Sequence, residues 1–303
     1  MIRQQPQSSR RRFLRTTLAV PVLAGSGISA FVAGTTGAKE TISTTNSTTK
    51  ETHAEISKSG EIKFQLGLAS YTTRKFDRTQ TLAMSRRAGL KHICLKDFHL
   101  KLTSTNEECA AAAQECRQIG INLYAGGVIY MKKPEDVENA FRYAQACGMT
   151  TIVGVPEPAV LPIVEQHVQK TGIYVAIHNH GPGDKVYPTP ESIIEKIQTL
   201  DQRIGLCVDI GHTARIGVDV AETFRKYKDR LFDCHFKDET EMNPKGQTCI
   251  CGRGVLDLPH YLMTLKEIGY DRIVSFEYEA DEKDPLPGLM ESVGYIRGIL
   301  RML

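Results

Sequence analysis

The sequence predicts a single (β/α)8 TIM barrel behind an N-terminal leader, and two observations carry that expectation. From Phe64 onward, short β-branched or apolar runs alternate with helical patterns, the signature of repeated βα units around a parallel sheet. Eight such runs follow one another, at 64–70, 92–96, 122–128, 151–155, 174–178, 205–209, 232–237 and 273–279, and that number favours a closed barrel over an open sheet. A chain of 303 residues buries one large core without requiring a second domain.

The helical stretches between the runs carry their own punctuation. Thr105-x-x-Glu108 reads as a capping box, in which each side chain satisfies the other residue's free backbone amide. Pro134 and Pro190 suit first-turn positions, where no helical hydrogen bond is lost. Gly89, Gly120, Gly148 and Gly269 stand where a helix must close before the next strand.

Ahead of the barrel, Ser9-Arg10-Arg11-Arg12-Phe13-Leu14-Arg15 precedes a mildly apolar stretch from Leu18 to Val32, broken by Gly25, Ser26 and Gly27. This arrangement resembles a twin-arginine export signal. The stretch is too short and glycine-rich for stable membrane insertion, which needs roughly 20 apolar residues. The expected organisation is a signal peptide over 1–38, a flexible Thr/Ser-rich linker over 39–61 and the barrel over 62–303, with a periplasmic or other extracytoplasmic destination. Residues 39–61 hold too few large apolar side chains to offset the entropy of ordering.

Loss of the leader changes the charge. It takes 38 basic residues to 33 against an unchanged 35 acidic ones, a net charge near −2. Such a surface offers no field for nucleic acid. Eight cysteines in an exported chain ordinarily suggest disulfides. A twin-arginine substrate folds in a reducing cytoplasm, however, and Cys94, Cys207 and Cys234 lie in apolar runs where a thiol packs as a small hydrophobe. Cys249 and Cys251 form only a C-x-C pair, too little for a zinc site.

Barrel enzymes keep their chemistry at the C-terminal ends of the strands. Read in order, those ends are Lys96-Asp97-Phe98-His99 after the second run, His178-Asn179-His180 after the fifth, Asp209-Ile210-Gly211-His212 after the sixth, His235-Phe236-Lys237 in the seventh and Glu277-Tyr278-Glu279 in the eighth. Four consecutive strands thus finish in His178, Asp209, His235 and Glu277, nitrogen and oxygen donors of the kind that a divalent cation accepts. Strand alternation puts Asp233, His235 and Lys237 on one face of their strand, and Ser275, Glu277 and Glu279 on one face of theirs, so that donors from adjacent strands can converge at the barrel mouth.

On these residues the chain resembles the xylose isomerase-like TIM barrel superfamily, from Gln65 to the C-terminus. The superfamily includes sugar phosphate isomerases and epimerases, inosose dehydratases and an endonuclease IV branch. The resemblance implies one metal held at positions 178, 209, 235 and 277, and it extends to the Asp209-x-x-His212 pair and to Gly252-Arg253-Gly254. The strand-five ligand, usually Glu, is His178 here. A neutral imidazole can ligate a cation but cannot replace the carboxylate base that ketose epimerases use. Gly67-Leu-Ala-Ser-Tyr71, Lys96-Asp-Phe-His99, Ala176-Ile-His-Asn-His-Gly-Pro-Gly-Asp184 and Phe276-Glu-Tyr-Glu279 are most similar to a subgroup that includes 3-keto-glycoside lyases and hydratases.

The chemistry expected is abstraction of the proton beside a ketone, with a Lewis acid holding the developing oxyanion. His180 is the first candidate for acid or base, His212 the second, and Lys96 a stabiliser of the enolate. Lys237, Arg253, Glu279 and Tyr71 are candidates for binding substrate, with Phe98 and Tyr124 as further stacking faces. Manganese is the metal the resemblance favours, and cobalt, iron, zinc or magnesium also suit the donors. The expected substrate is a small keto-sugar or keto-glycoside. Elimination or hydration is preferred over isomerisation of a sugar phosphate, because no glycine-rich phosphate loop occurs. A ketose isomerase or 3-epimerase is the alternative reading, and a non-catalytic sugar-binding module a lesser one. DNA repair is disfavoured, since the extra metal-binding histidines it requires on earlier strands are missing. Homo-oligomerisation has no signature in the sequence.

Overall fold

The computed structural model describes residues 60–303; the expected signal peptide and nearly all of the expected linker lie outside them. Seven strands, β1 (Gln65–Ala69), β2 (His92–Leu95), β3 (Asn122–Met131), β4 (Thr151–Pro156), β5 (Tyr174–His178), β6 (Ile204–Asp209) and β7 (Leu231–Phe236), run in parallel. A two-residue antiparallel ladder, β8 (Asp238–Glu239) with β9 (Thr248–Cys249), then precedes β10 (Ile273–Phe276). β10 pairs with both β7 and β1 and closes the barrel. The eight-stranded TIM barrel expected from the sequence is therefore the observed fold.

Helices cover the outside: α1 (Arg78–Arg87), α2 (Asn106–Gln118), α3 (Pro134–Cys147), α4 (Leu161–Thr171), α5 (Pro190–Ile197), α6 (Ile210–Arg215), α7 (Val220–Lys226), α8 (Leu258–Glu267) and α9 (Pro285–Met302). Their ends follow the local signals. Thr105 Oγ1 accepts the Glu108 amide at 3.2 Å and the Glu108 carboxylate accepts the Thr105 amide at 2.9 Å, so α2 begins with both donors satisfied. Pro134 and Pro190 open α3 and α5. Gly148, at φ 68°, ends α3 in the left-handed region that a side chain would disfavour.

The core has two layers. Between strands and helices lies a continuous apolar shell, and inside the barrel Cys94, Tyr124, Ala125, Val153, Ala176, Cys207 and Phe232 fill the axis. Tyr124 was a candidate stacking face; it is instead buried, with its hydroxyl 2.7 Å from Asp233 Oδ2 and 2.6 Å from Ser275 Oγ. Burial pushes the Asp233 carboxyl up to about 6. The phenol is committed to this interior network and presents no ring to a ligand.

Two strand ends differ from expectation by more than one residue. β3 continues to Met131 because Gly126-Gly127 is not a stop: a Cβ at Gly127 would lie 2.5 Å from the Val153 carbonyl oxygen, so the glycine permits close approach to β4. β10 stops at Phe276, and Glu277 keeps one bond to the sheet, its amide donating to the Phe236 carbonyl at 2.9 Å. The first difference carries Tyr130 up to the barrel mouth.

Candidate metal centre

His178 is the last residue of β5, Asp209 the last of β6, His235 lies one before the end of β7, and Glu277 directly follows β10. Asp209 pairs in register with His235, and His235 with Ser275. One donor atom from each of His178, Asp209, His235 and Glu277 lies within 4.8 Å of all the others, and the four side chains are buried. His178 Nε2 is 3.6 Å from Asp209 Oδ2, and His235 Nδ1 is 3.2 Å from Glu277 Oε2.

Local structure fixes these positions. Asp209 caps α6: its Oδ1 accepts the His212 amide at 2.7 Å, which leaves Oδ2 facing the centre. Asn179 ties β5 to β6, accepting the Asp209 amide at 3.1 Å and donating to Thr213 Oγ1 at 3.1 Å. Gly211 allows α6 to start against β7, since a Cβ there would meet the Lys237 side chain at 2.7 Å. Gly181, at φ 70°, likewise lets the loop after His180 approach His212, whose carbonyl oxygen would be 2.7 Å from a Cβ.

Both ring nitrogens of His178, both of His235 and Asp209 Oδ2 are buried without a hydrogen-bond partner. A buried polar group left with neither a hydrogen bond nor an ion pair costs on the order of 1–3 kcal/mol. Burial lowers His178 to about 4, so its ring is neutral and free to donate lone pairs. A buried donor set of two imidazoles without hydrogen-bond partners and two carboxylates fits a borderline divalent cation.

Lys237 complicates the charge balance. Its buried ammonium lies 2.9 Å from Asp209 Oδ2, without hydrogen-bond alignment, and 2.9 Å from Glu277 Oε2, and it also pairs closely with Glu279. Burial alone would raise the carboxyls of Asp209 and Glu277; positive neighbours outweigh it and hold both well below the usual range. Burial would conversely lower Lys237, but the three carboxylates raise it and keep it charged.

Above the centre opens a cavity of about 200 Å³ lined by Tyr71, Lys96, Tyr130, His178, His180, His212, Glu277 and Glu279. His180 Nε2 is 3.2 Å from the Tyr130 hydroxyl, the two rings stack at 5.9 Å, and Nδ1 lies 3.5 Å from Asp184 Oδ2. Burial, with His212 nearby, lowers His180. His212 Nδ1 accepts from the Arg215 guanidinium at 2.6 Å, so Nε2 carries the proton and faces Asp209 Oδ2 at 3.9 Å. Burial lowers His212 to about 4. Lys96 Nζ donates to the Val128 carbonyl at 2.7 Å at the cavity wall.

Arg253 lies apart from the other candidates for metal binding, catalysis and substrate binding: it pairs with Glu291 on α9, at 2.6 and 2.8 Å, on the surface. Phe98 is exposed beside Tyr71, with ring centroids 6.3 Å apart. Tyr130 and Arg215 escaped sequence reading. Tyr130 was hidden by the glycine pair taken as the end of β3; Arg215, three residues past His212, was legible as a helical i,i+3 partner.

The profile of the xylose isomerase-like TIM barrel matches residues 82–299. The chain belongs to the xylose isomerase-like TIM barrel family. Family membership agrees with the closed parallel barrel and with donors gathered at its C-terminal mouth. An inosose dehydratase from Lacticaseibacillus casei is 26% identical over 130 residues, which cover 37% of this chain and 43% of that enzyme, so the match spans under half of the relative's length. Among solved structures, L-ribulose 3-epimerase superposes with TM-score 0.67 at 15% identity, covering 79% of this chain and 95% of that one. The 3-keto-D-glucoside 4-epimerase from E. coli superposes with TM-score 0.62 at 16% identity, over 78% of this chain and 100% of that one. The IolI protein, solved with a zinc atom, gives TM-score 0.64 at 17% identity, over 79% and 99%. At these identities the superpositions establish the shared fold.

Proposed function

We propose that this xylose isomerase-like barrel is a divalent-metal-dependent enzyme that enolises a keto-sugar, leading to 1,2-elimination or hydration on a 3-keto-glycoside. The observation that carries the reading is the convergence of four buried donors, five of whose polar atoms lack a hydrogen-bond partner, directly beneath an open cavity. Relatives named as dehydratase and epimerases support sugar chemistry, and the zinc atom in IolI supports a divalent cation. When bound at His178, Asp209, His235 and Glu277, the cation supplies Lewis acidity to a ketone oxygen.

The chain's own residues divide the remaining work. His180 is the proton acceptor: it lines the cavity, burial favours its neutral form, Tyr130 holds its ring, and Asp184 lies 3.5 Å from Nδ1. His212 is an orienting partner, because Arg215 occupies Nδ1 and Nε2–H faces Asp209. With His178 in place of a carboxylate, a two-carboxylate epimerisation has no second base. Lys96 and Glu279 stand at the wall to bind substrate oxygens, and Tyr71 offers a ring face.

Purified protein incubated with 3-keto-glucosides or free ketoses in deuterium oxide should incorporate deuterium beside the carbonyl, and EDTA should abolish that uptake. Release of aglycone would accompany it for the glycosides. Stereoinversion of a free ketose at C2 or C3 without release would assign the epimerase reading instead. Ligand binding that survives EDTA, with no deuterium uptake, would leave only a sugar-binding module.

A further inference from the structure

A second ligand set lies beside the first and shares its two imidazoles. Cys207 sits on β6 two residues before Asp209, on the same inward face, and pairs in register with His178 of β5. Its Sγ, a ring nitrogen of His178 and a ring nitrogen of His235 all lie within 4.8 Å of one another. All three residues are buried, Cys207 with no measurable exposure. The four ring nitrogens have no hydrogen-bond partner, which is unusual for buried polar atoms.

Charge distinguishes the two sets. The ion pairs of Lys237 are all with carboxylates, at Asp209, Glu277 and Glu279, so its ammonium balances the oxygen side of the site. The imidazole and thiol side is unopposed by those pairs. A cation drawn toward it keeps both histidines as ligands and gains sulfur, the donor that selects soft and borderline metals.

We propose that Cys207 is a sulfur ligand of this centre and biases it toward zinc or cobalt(II) over magnesium or manganese. The inference rests on the metal-dependent reading above and refines which cation the site takes. Binding replaces the S–H bond by a metal–sulfur bond, and the thiol proton leaves to solvent.

The test uses metal-stripped wild-type protein, Cys207→Ser and Cys207→Ala, each titrated with cobalt(II) and followed by bound-metal analysis and absorption. Wild type should bind one cobalt per chain with a near-ultraviolet sulfur-to-cobalt charge-transfer band. Both variants should still bind cobalt but lose the band, with zinc affinity falling on the order of 10–100-fold and manganese affinity nearly unchanged. X-ray absorption of zinc-loaded wild type should contain a sulfur scatterer at about 2.3 Å; this measurement needs no variant and so is immune to misfolding. Stoichiometric cobalt with no charge-transfer band, a band that persists in both variants, or a zinc spectrum of nitrogen and oxygen alone would each overturn the sulfur ligand and leave the four-residue centre standing. Failure of wild type to bind any of these cations would overturn both.

Discussion

Lys237 is the side chain on which the electrostatics of the site turn. Three carboxylates share one buried ammonium, and two of them, Asp209 and Glu277, also belong to the candidate metal centre. Removing one partner of such a cluster strands the others in a medium that solvates them poorly, at a cost of about 3–5 kcal/mol. Lys237→Met should therefore lower the melting temperature of metal-free protein by on the order of 10 °C. Zinc or cobalt should then restore more stability to the variant than it adds to wild type, because the cation takes over the lost positive charge. Calorimetry of stripped and reloaded samples decides this. An equal metal-induced rise in the two proteins would mean that the carboxylates Lys237 neutralises are not those that hold the metal.

At the scale of elements, the segment between β7 and α8 is organised by a single buried carboxylate. Asp238 accepts four backbone amides, from Glu239 at 2.9 Å, Gly252 at 2.8 Å, Gly254 at 3.0 Å and Leu256 at 3.1 Å. Gly254 has no room for a side chain, since a Cβ would lie 2.2 Å from Asp238 Oδ1. Asp238→Asn places an amide donor against one pair of these N–H groups and should destabilise the protein by about 1.5–3 kcal/mol. The exposed Lys245 and Arg253 in this segment provide the readout: trypsin should cut after them faster in the variant than in wild type. Unchanged cleavage would show that the loop is held by something other than Asp238.

The same segment marks the boundary of what the sequence disclosed. The eight barrel strands were legible because burial on both faces makes each a short apolar run, and the four donors because they interrupt those runs at equivalent places. The role of Asp238 was not, because a carboxylate that collects backbone amides looks in sequence like any polar loop residue. Tyr130 was lost to an ambiguity of glycine, which ends a strand or permits close packing within it depending on a neighbour 26 residues away. Cys207 reads as a small hydrophobe along β6, and only the closing of β5 and β7 around it brings two imidazoles to its sulfur. Residues whose part is set by strand order are readable; those whose part depends on a particular side-chain contact with a neighbouring strand or loop are not.

For the whole molecule, strand pairing assembles both the barrel and the candidate centre. β1 pairs with β10, and Thr72 Oγ1 meets the Phe276 carbonyl at 3.4 Å and accepts the Tyr278 amide at 3.0 Å, across more than 200 residues of sequence. The candidate metal donors come from β5, β6, β7 and the residue after β10, four neighbouring strands, so the centre exists only once those strands, about 100 residues apart at the extremes, have paired. A chain exported unfolded would have to acquire the proposed metal, and protect eight free thiols, outside the cytoplasm. Export in the folded state removes both difficulties, and it is the route that we propose from Ser9-Arg10-Arg11-Arg12-Phe13-Leu14. Replacement of Arg10 and Arg11 by lysine should then retain the protein in the cytoplasm as a folded barrel with the same metal content as exported wild type. Fractionation followed by metal analysis of each pool measures both halves of the expectation. Continued export of the doubly substituted chain, or a metal-free protein in the cytoplasmic pool, would break the link between folding, metal capture and translocation.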